Sequence, residues 1–399
     1  MTEKIESSYS VVNFDNTEIA FRGKSNEDLN RSYWLFKLIS NNFLTRIGPS
    51  LTNGAMRLGL PVASLIKKTL FKQFCGGESI AECETVITQL NNGYVGTILD
   101  YSVEGEQAES SFVKTAEEIV QTIRKAKEDG RIPLTVFKPT GIARFKLLEK
   151  LQAGTPLTTA EETEYFKVKG RVNHICKTAF DLDVPVMIDA EETWIQNPID
   201  TLVTEMMRMY NREKAIVYNT YQLYRNDKLA SLKADTYLAE TDGFILGAKL
   251  VRGAYMEKER ERALAMGYPS PIHADKVAAD RDYNEALIFC VEHLTNVAFV
   301  AGTHNEESCT VLTEQIMKNN LPEDHPHIYF SQLLGMSDNL SFNLAYAGYN
   351  VVKYVPYGPV KSVLPYLFRR AEENTAIAGQ MSRELNMIVK EKERRKNKR

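Results

Sequence analysis

Seven short apolar runs in this chain each end on a polar or charged residue: Lys138, Asp189, Asn219, Lys249, Thr303, Gln332 and Tyr354. That is how a barrel of parallel strands carries an active site. Its interior is packed with branched side chains, while its working groups sit where strands end and loops begin. An earlier run, Val95 to Tyr101, joins Leu134 to Lys138, Val184 to Asp189, Ala215 to Asn219, Phe244 to Lys249, Val297 to Thr303, Ile328 to Gln332 and Val351 to Tyr354, making eight. Amphipathic stretches separate them, and spacings of roughly 20 to 55 residues from one run to the next leave room for a helix in each crossover. The expected fold is therefore α/β, a (βα)8 TIM-like barrel. Helical patterning at Leu29 to Phe43 and Val62 to Phe74 adds an N-terminal helical arm. The expected organisation is an arm over 1–94, a barrel over 95–378 and a basic C-terminal tail over 379–399, the tail read as solvated.

Composition excludes several function classes. A net charge of -3 gives no whole-protein argument for nucleic acid as a partner. Neither GxGxxG nor GxxxxGK[ST] occurs, which argues against Rossmann and P-loop sites. The histidines form no zinc or facial-triad spacing, so no metal is expected; His325 and His327 lie in a Pro-bearing loop. Five cysteines without a CxxC pair read as reduced thiols. The opening MTEKIESSYS has neither an apolar signal core nor the Arg-rich character of a presequence, so a cytoplasmic location is expected. The basic run Lys390 to Arg399 adds a possible peripheral contact with an anionic membrane.

The strand-end residues suggest chemistry. Lys249 interrupts an apolar run and needs a partner or ligand, and Asp189 is the candidate, with Lys138 on the adjacent strand. A structural ion pair at the rim is equally compatible with any one of these residues. Beyond the last strand, Ser362 is expected to cap a helix with Pro365 in its first turn. Tyr366, Arg369, Arg370 and Glu373 then fall at i, i+3, i+4 and i+7 on one stripe. Two adjacent guanidinium groups suit a substrate carboxylate. An ordinary solvated salt bridge from Arg369 to Glu373 would give the same spacing. His304, just after Gly302-Thr303, faces the expected mouth and reads as a cofactor contact rather than a base.

Several ordered motifs between about residues 95 and 378 resemble the proline dehydrogenase family. They are Ile188-Asp-Ala-Glu-Glu192, Lys249-Leu-Val-Arg-Gly-Ala-Tyr255, Tyr354-Val-Pro-Tyr-Gly-Pro359 and Tyr366-Leu-Phe-Arg369-Arg370-Ala-Glu-Glu373. The resemblance implies a distorted (βα)8 barrel that binds FAD, oxidises L-proline to Δ1-pyrroline-5-carboxylate and passes electrons to a quinone. By the same resemblance Arg369, Arg370 and Lys138 bind the proline carboxylate, and Tyr354 and Tyr366 wall its ring. Asp189 and Lys249 are the catalytic pair, with Lys249 beside the flavin N5. Ala190, Asn219, Val251, Arg252, Gly253, Tyr255, Thr303, His304 and Gln332 line the cofactor, and Glu373 braces the arginines. Many bacterial members carry Arg at the position of Lys249 and Gln at that of Asn219, so Lys and Asn here are similar to the eukaryotic branch. With no aldehyde dehydrogenase module expected, a separate pyrroline-5-carboxylate dehydrogenase would take the product. Three rival readings share these residues: a hydroxyproline dehydrogenase of the same family, a flavin barrel related to methylenetetrahydrofolate reductase, and a non-catalytic scaffold.

Overall fold

The computed structural model describes residues 12–39, 66–103, 107–376 and 380–398, with the side chains of 39, 68, 371–376 and 380–382 excepted. All eight expected strands are present: β1 Gly96–Tyr101, β2 Thr135–Phe137, β3 Val186–Ile188, β4 Val217–Gln222, β5 Leu246–Val251, β6 Val297–Gly302, β7 Ile328–Leu333 and β8 Val351–Tyr357. Every ladder is parallel, and the order β1-β8-β7-β6-β5-β4-β3-β2 carries the sheet around to its own beginning. Helices fill the crossovers, as parallel strands require.

Closure is completed differently at the β1/β2 seam, where no ladder runs. Thr97 N–H donates to Arg131 O at 2.9 Å just ahead of β2. At the upper end of the seam Lys138 meets Asp100 of β1 at 3.1 Å. The seam is thus closed in part by side chains.

Alternation along the strands separates two cores. Ile98, Val136, Met187, Tyr218, Val300, Val352 and Tyr354 point inward and fill the barrel. Their neighbours Leu99, Phe137, Ile188, Val217, Phe299 and Val355 point outward beneath the helices. A side chain as large as Tyr218 needs space inside the barrel, and Gly247 beside it on β5 supplies it. A Cβ there would lie 2.3 Å from Val217 O and 2.8 Å from the Tyr218 ring.

The N-terminal helices Thr17–Ala20 and Asn26–Ile39 form a third core with the barrel's last helix, Val360–Ala376. The basic run expected as a solvated tail differs from that expectation, being the helix Gln380–Asn397. Its Met387 and Ile388 are buried in the same core. Helix Val360–Ala376 begins two residues before Ser362, with Ser362 N–H bonded to Pro359 O at 2.8 Å. Pro365 therefore sits in the second turn, where its missing N–H costs a helical hydrogen bond.

Candidate active site

Above the apolar filling, the next inward layer is ionic. Asp189 follows β3 and accepts hydrogen bonds from Lys249 Nζ at 2.6 Å, Tyr354 Oη at 2.6 Å and Lys138 Nζ at 3.1 Å. Lys138 also reaches Asp100 Oδ2 at 3.1 Å and Tyr354 Oη at 3.2 Å. Lys249 lies 4.7 Å from the Tyr354 ring centroid, within cation–π range. Two carboxylates and two ammonium groups thus neutralise one another around a phenol.

Burial alone would raise the Asp189 pKa, but the charges of Lys249 and Lys138 outweigh it and hold the carboxyl well below the usual range. Tyr354 is driven the other way by burial and by Asp100 and Asp189, so its phenol keeps its proton and remains a donor. Tyr366 is buried on helix Val360–Ala376, close enough to contribute to that upward push on Tyr354.

A second cluster stands beyond β5. Arg252 donates to Asp280 at 2.7 Å, Thr303 Oγ1 at 2.9 Å and Ser308 Oγ at 2.9 Å, with its guanidinium 4.3 Å from the Tyr283 ring centroid. The next residue, Gly253, has φ +130°, and a Cβ there would meet the Tyr224 ring at 2.3 Å. Gly253 and Ala254 are exposed just beyond the end of β5, at the barrel mouth.

A third cluster surrounds His304. Its Nδ1 is 2.9 Å from Ser337 Oγ, and its Nε2 accepts from Leu333 N–H at 3.5 Å. Burial, followed by the charges of Lys353, Arg370 and Arg252, lowers its pKa to about 3. The ring is therefore neutral at physiological pH, suited to hydrogen bonding and not to carrying charge. Arg370 is buried, with its guanidinium 5.2 Å from the Tyr366 ring centroid.

The proline dehydrogenase family profile matches residues 83–383. The chain belongs to the proline dehydrogenase family. It is 34% identical to proline dehydrogenase 1, mitochondrial, from Dictyostelium discoideum, over 95% of this chain and 74% of that protein. It is 32% identical to the carbapenem antibiotics biosynthesis protein CarD of Pectobacterium carotovorum, over 81% of this chain and 83% of that one. Proline utilization A from Bdellovibrio bacteriovorus shares the fold, with a TM-score of 0.70 at 19% identity, over 93% of this chain and 40% of that one. The family places this barrel among oxidoreductases of proline catabolism.

Within this proline dehydrogenase fold the expected site residues separate by strand parity. Lys138, Asp189, Lys249 and Tyr354 converge, and Arg252 meets Thr303. Ala190 and Val251 flank the same mouth, partly exposed, and Tyr255 Oη donates to Glu191 at 3.1 Å. Arg369 is partly buried one residue before Arg370. Asn219 is not brought in. Strand β4 runs on to Gln222, so Asn219 is mid-strand with its amide donating to Asp200 of the outer helix layer at 3.0 Å. Gln332 also turns outward, accepting from Ser341 at 2.8 Å while donating to Thr303 O at 3.1 Å. The Glu373 side chain lies outside the described residues.

Sequence reasoning missed Asp100, Gln222 and Glu191, all buried at the same rim. Gln222 Nε2 donates to Glu191 O at 2.8 Å, and Glu191 accepts from Thr140 Oγ1 at 2.7 Å. Asp100 carried a signal, since it is the carboxylate near the end of the first apolar run.

Proposed function

We propose that this chain oxidises L-proline to Δ1-pyrroline-5-carboxylate with FAD as its resident cofactor and a quinone as electron acceptor. The observation that carries the reading is Asp189 holding Lys138, Lys249 and Tyr354 together at the barrel mouth, beside the helix that bears Tyr366, Arg369 and Arg370. The donor set fits a flavin: an exposed backbone at Gly253, a guanidinium fixed by three partners at Arg252, and a neutral imidazole at His304. When bound, FAD supplies the acceptor for hydride leaving the ring carbon next to nitrogen.

The chain's own residues then have positioning roles. Arg369 and Arg370 hold the substrate carboxylate through their planar forks, with Lys138 as a third cation nearby. Tyr354 bounds the substrate ring and keeps its proton on Oη, directed at Asp189. Asp189 fixes the Lys249 ammonium inside the barrel mouth, so positive charge faces the region where negative charge develops. The apolar layer below, from Ile98 to Val352, excludes water from beneath the reacting groups.

A cytoplasmic location with peripheral membrane contact is part of the proposal, with pyrroline-5-carboxylate passing to a separate dehydrogenase. All five cysteines are free and buried, as suits a reducing compartment. Liposome sedimentation with and without the last ten residues tests the membrane contact, and equal pelleting of the two forms would eliminate that role for the basic residues. The activity is tested by an anaerobic visible spectrum before and after adding L-proline. Bleaching of a band near about 450 nm is expected. A flavin band that persists in excess L-proline would overturn the substrate assignment.

A further inference from the structure

The loop after β7 is held from three directions, and one of its holds serves no purpose in the reading above. Two of its residues have left-handed backbones, Gly335 at φ +77° and Ser337 at φ +49°. A non-glycine residue in that region is strained and persists only where its surroundings over-determine it. Gln73 Nε2 donates to Gly335 O at 3.0 Å, and Ser32 of the N-terminal helix donates to Gln73 at 3.1 Å. From the barrel side, Lys353 Nζ donates to Leu333 O at 3.3 Å and also to Met336 O. Asp338 pairs with Lys353 at 2.9 Å and with Lys24 at 2.7 Å.

The third hold comes from the C-terminal helix. Glu384 is buried, and its carboxylate accepts the backbone N–H of Ser337. Docking the helix does not explain a carboxylate here, because Met387 and Ile388 already bury its apolar side. Burial and the neighbouring Asp338 both raise the Glu384 pKa, so the placement is electrostatically costly. What the carboxylate achieves is to fix Ser337, whose hydroxyl is the partner of His304 Nδ1.

We infer that Glu384 is a positioning residue for the flavin side of the site, acting through Ser337 on His304. The inference rests on the FAD reading but concerns residues with no part in substrate binding. Through this contact the C-terminal helix becomes part of the cofactor site.

Three variants test it: Glu384→Ala, which removes the acceptor; Glu384→Gln, which keeps one; and Ser337→Gly, which keeps the N–H and the left-handed backbone but removes the hydroxyl. The readouts are FAD affinity, from quenching of flavin fluorescence by the apoprotein, and the flavin midpoint potential. Glu384→Ala and Ser337→Gly should each weaken FAD binding about tenfold, and Glu384→Gln should recover most of that loss. A cooperatively folded Glu384→Ala protein with wild-type FAD affinity and potential would overturn the inference. Should Glu384→Ala fail to fold, Ser337→Gly decides alone, and wild-type flavin binding in it would be fatal. Wild-type protein that binds FAD without being bleached by L-proline would refute the proposed reaction and leave this inference standing. Wild-type protein that binds no FAD would overturn both.

Discussion

Asp189→Asn is the most informative single perturbation because one carboxylate serves three donors. The amide keeps the shape and can still accept from Tyr354, but it removes the anion facing Lys249 at 2.6 Å and Lys138 at 3.1 Å. Lys138 keeps Asp100, whereas Lys249 has no second carboxylate among the described ion pairs. Removing one partner of a buried pair costs about 3–5 kcal/mol, a large share of a total stability of about 5–15 kcal/mol. Denaturant unfolding followed by fluorescence should therefore give a folded protein destabilised by about 4 kcal/mol at pH 7. Adding Lys249→Met removes the orphaned ammonium and should recover at least about half of that loss.

The pH dependence follows from the sign of the shift. The folded Asp189 pKa is depressed, so its contribution is fully present above the unfolded value of about 3.9 and is lost as pH falls through the folded value. Wild type and Asp189→Asn should accordingly converge in strong acid. A loss below about 1 kcal/mol at pH 7, or no relief from Lys249→Met, would refute the argument that the pair is electrostatically interdependent.

Three further outcomes follow. Arg370→Lys replaces a planar fork by a point charge and should raise the KM for L-proline by about tenfold, more than it lowers kcat; a larger effect on kcat in steady-state kinetics would contradict a carboxylate role. Tyr354→Ser opens the ring wall, and the ratio of kcat/KM for hydroxyproline to that for proline should rise by about tenfold; an unchanged ratio would remove Tyr354 as the selectivity element. His304, with its pKa lowered to about 3, stays neutral in the folded state while the unfolded imidazole takes a proton near about 6.5, so stability should fall as pH drops between these values. Its share approaches about 1.4 kcal/mol per pH unit, and a His304→Gln protein with the wild-type slope of stability against pH would contradict it.

The barrel was legible because each strand coincides with a short apolar run that meets a polar group towards its C-terminal end, and Lys138, Asp189, Lys249 and Tyr354 all lie on the inward parity. Parity also explains the misses. Taking the first polar residue as the strand end places Asn219 at the mouth, yet Tyr218 faces inward, so Asn219 must face outward, and the mouth position belongs to Gln222. Gln332 faces outward by the same argument, since Tyr329 and Leu333 face the interior and Phe330 the helices. The C-terminal helix was hidden by composition: its buried stripe is Glu384, Met387, Ile388 and Glu391, and two of those four positions are carboxylates. Their burial is explained by their partners, Ser337 for Glu384 and Arg394, Arg395 and Thr17 for Glu391, and Ser337 and Thr17 are both remote in sequence.

The unladdered seam also governs the order in which the chain can fold. Strands β2 to β8 each find a ladder partner in the strand made just before or after them, but β1 pairs only with β8, Gly96 against Val352. The segment ahead of β1 waits for the same strand, since Gly77 bridges to Tyr357 and Gly76 N–H bonds to Pro356 O at 2.9 Å. During synthesis the first strand to leave the ribosome therefore has no ladder partner until the last one arrives, and is exposed to the mispairing that unpaired edges invite. Pulsed hydrogen exchange during refolding should find the β1 amides protected together with those of β8 and after those of β4 and β5. Earlier protection of β1 would show that another contact holds it in place.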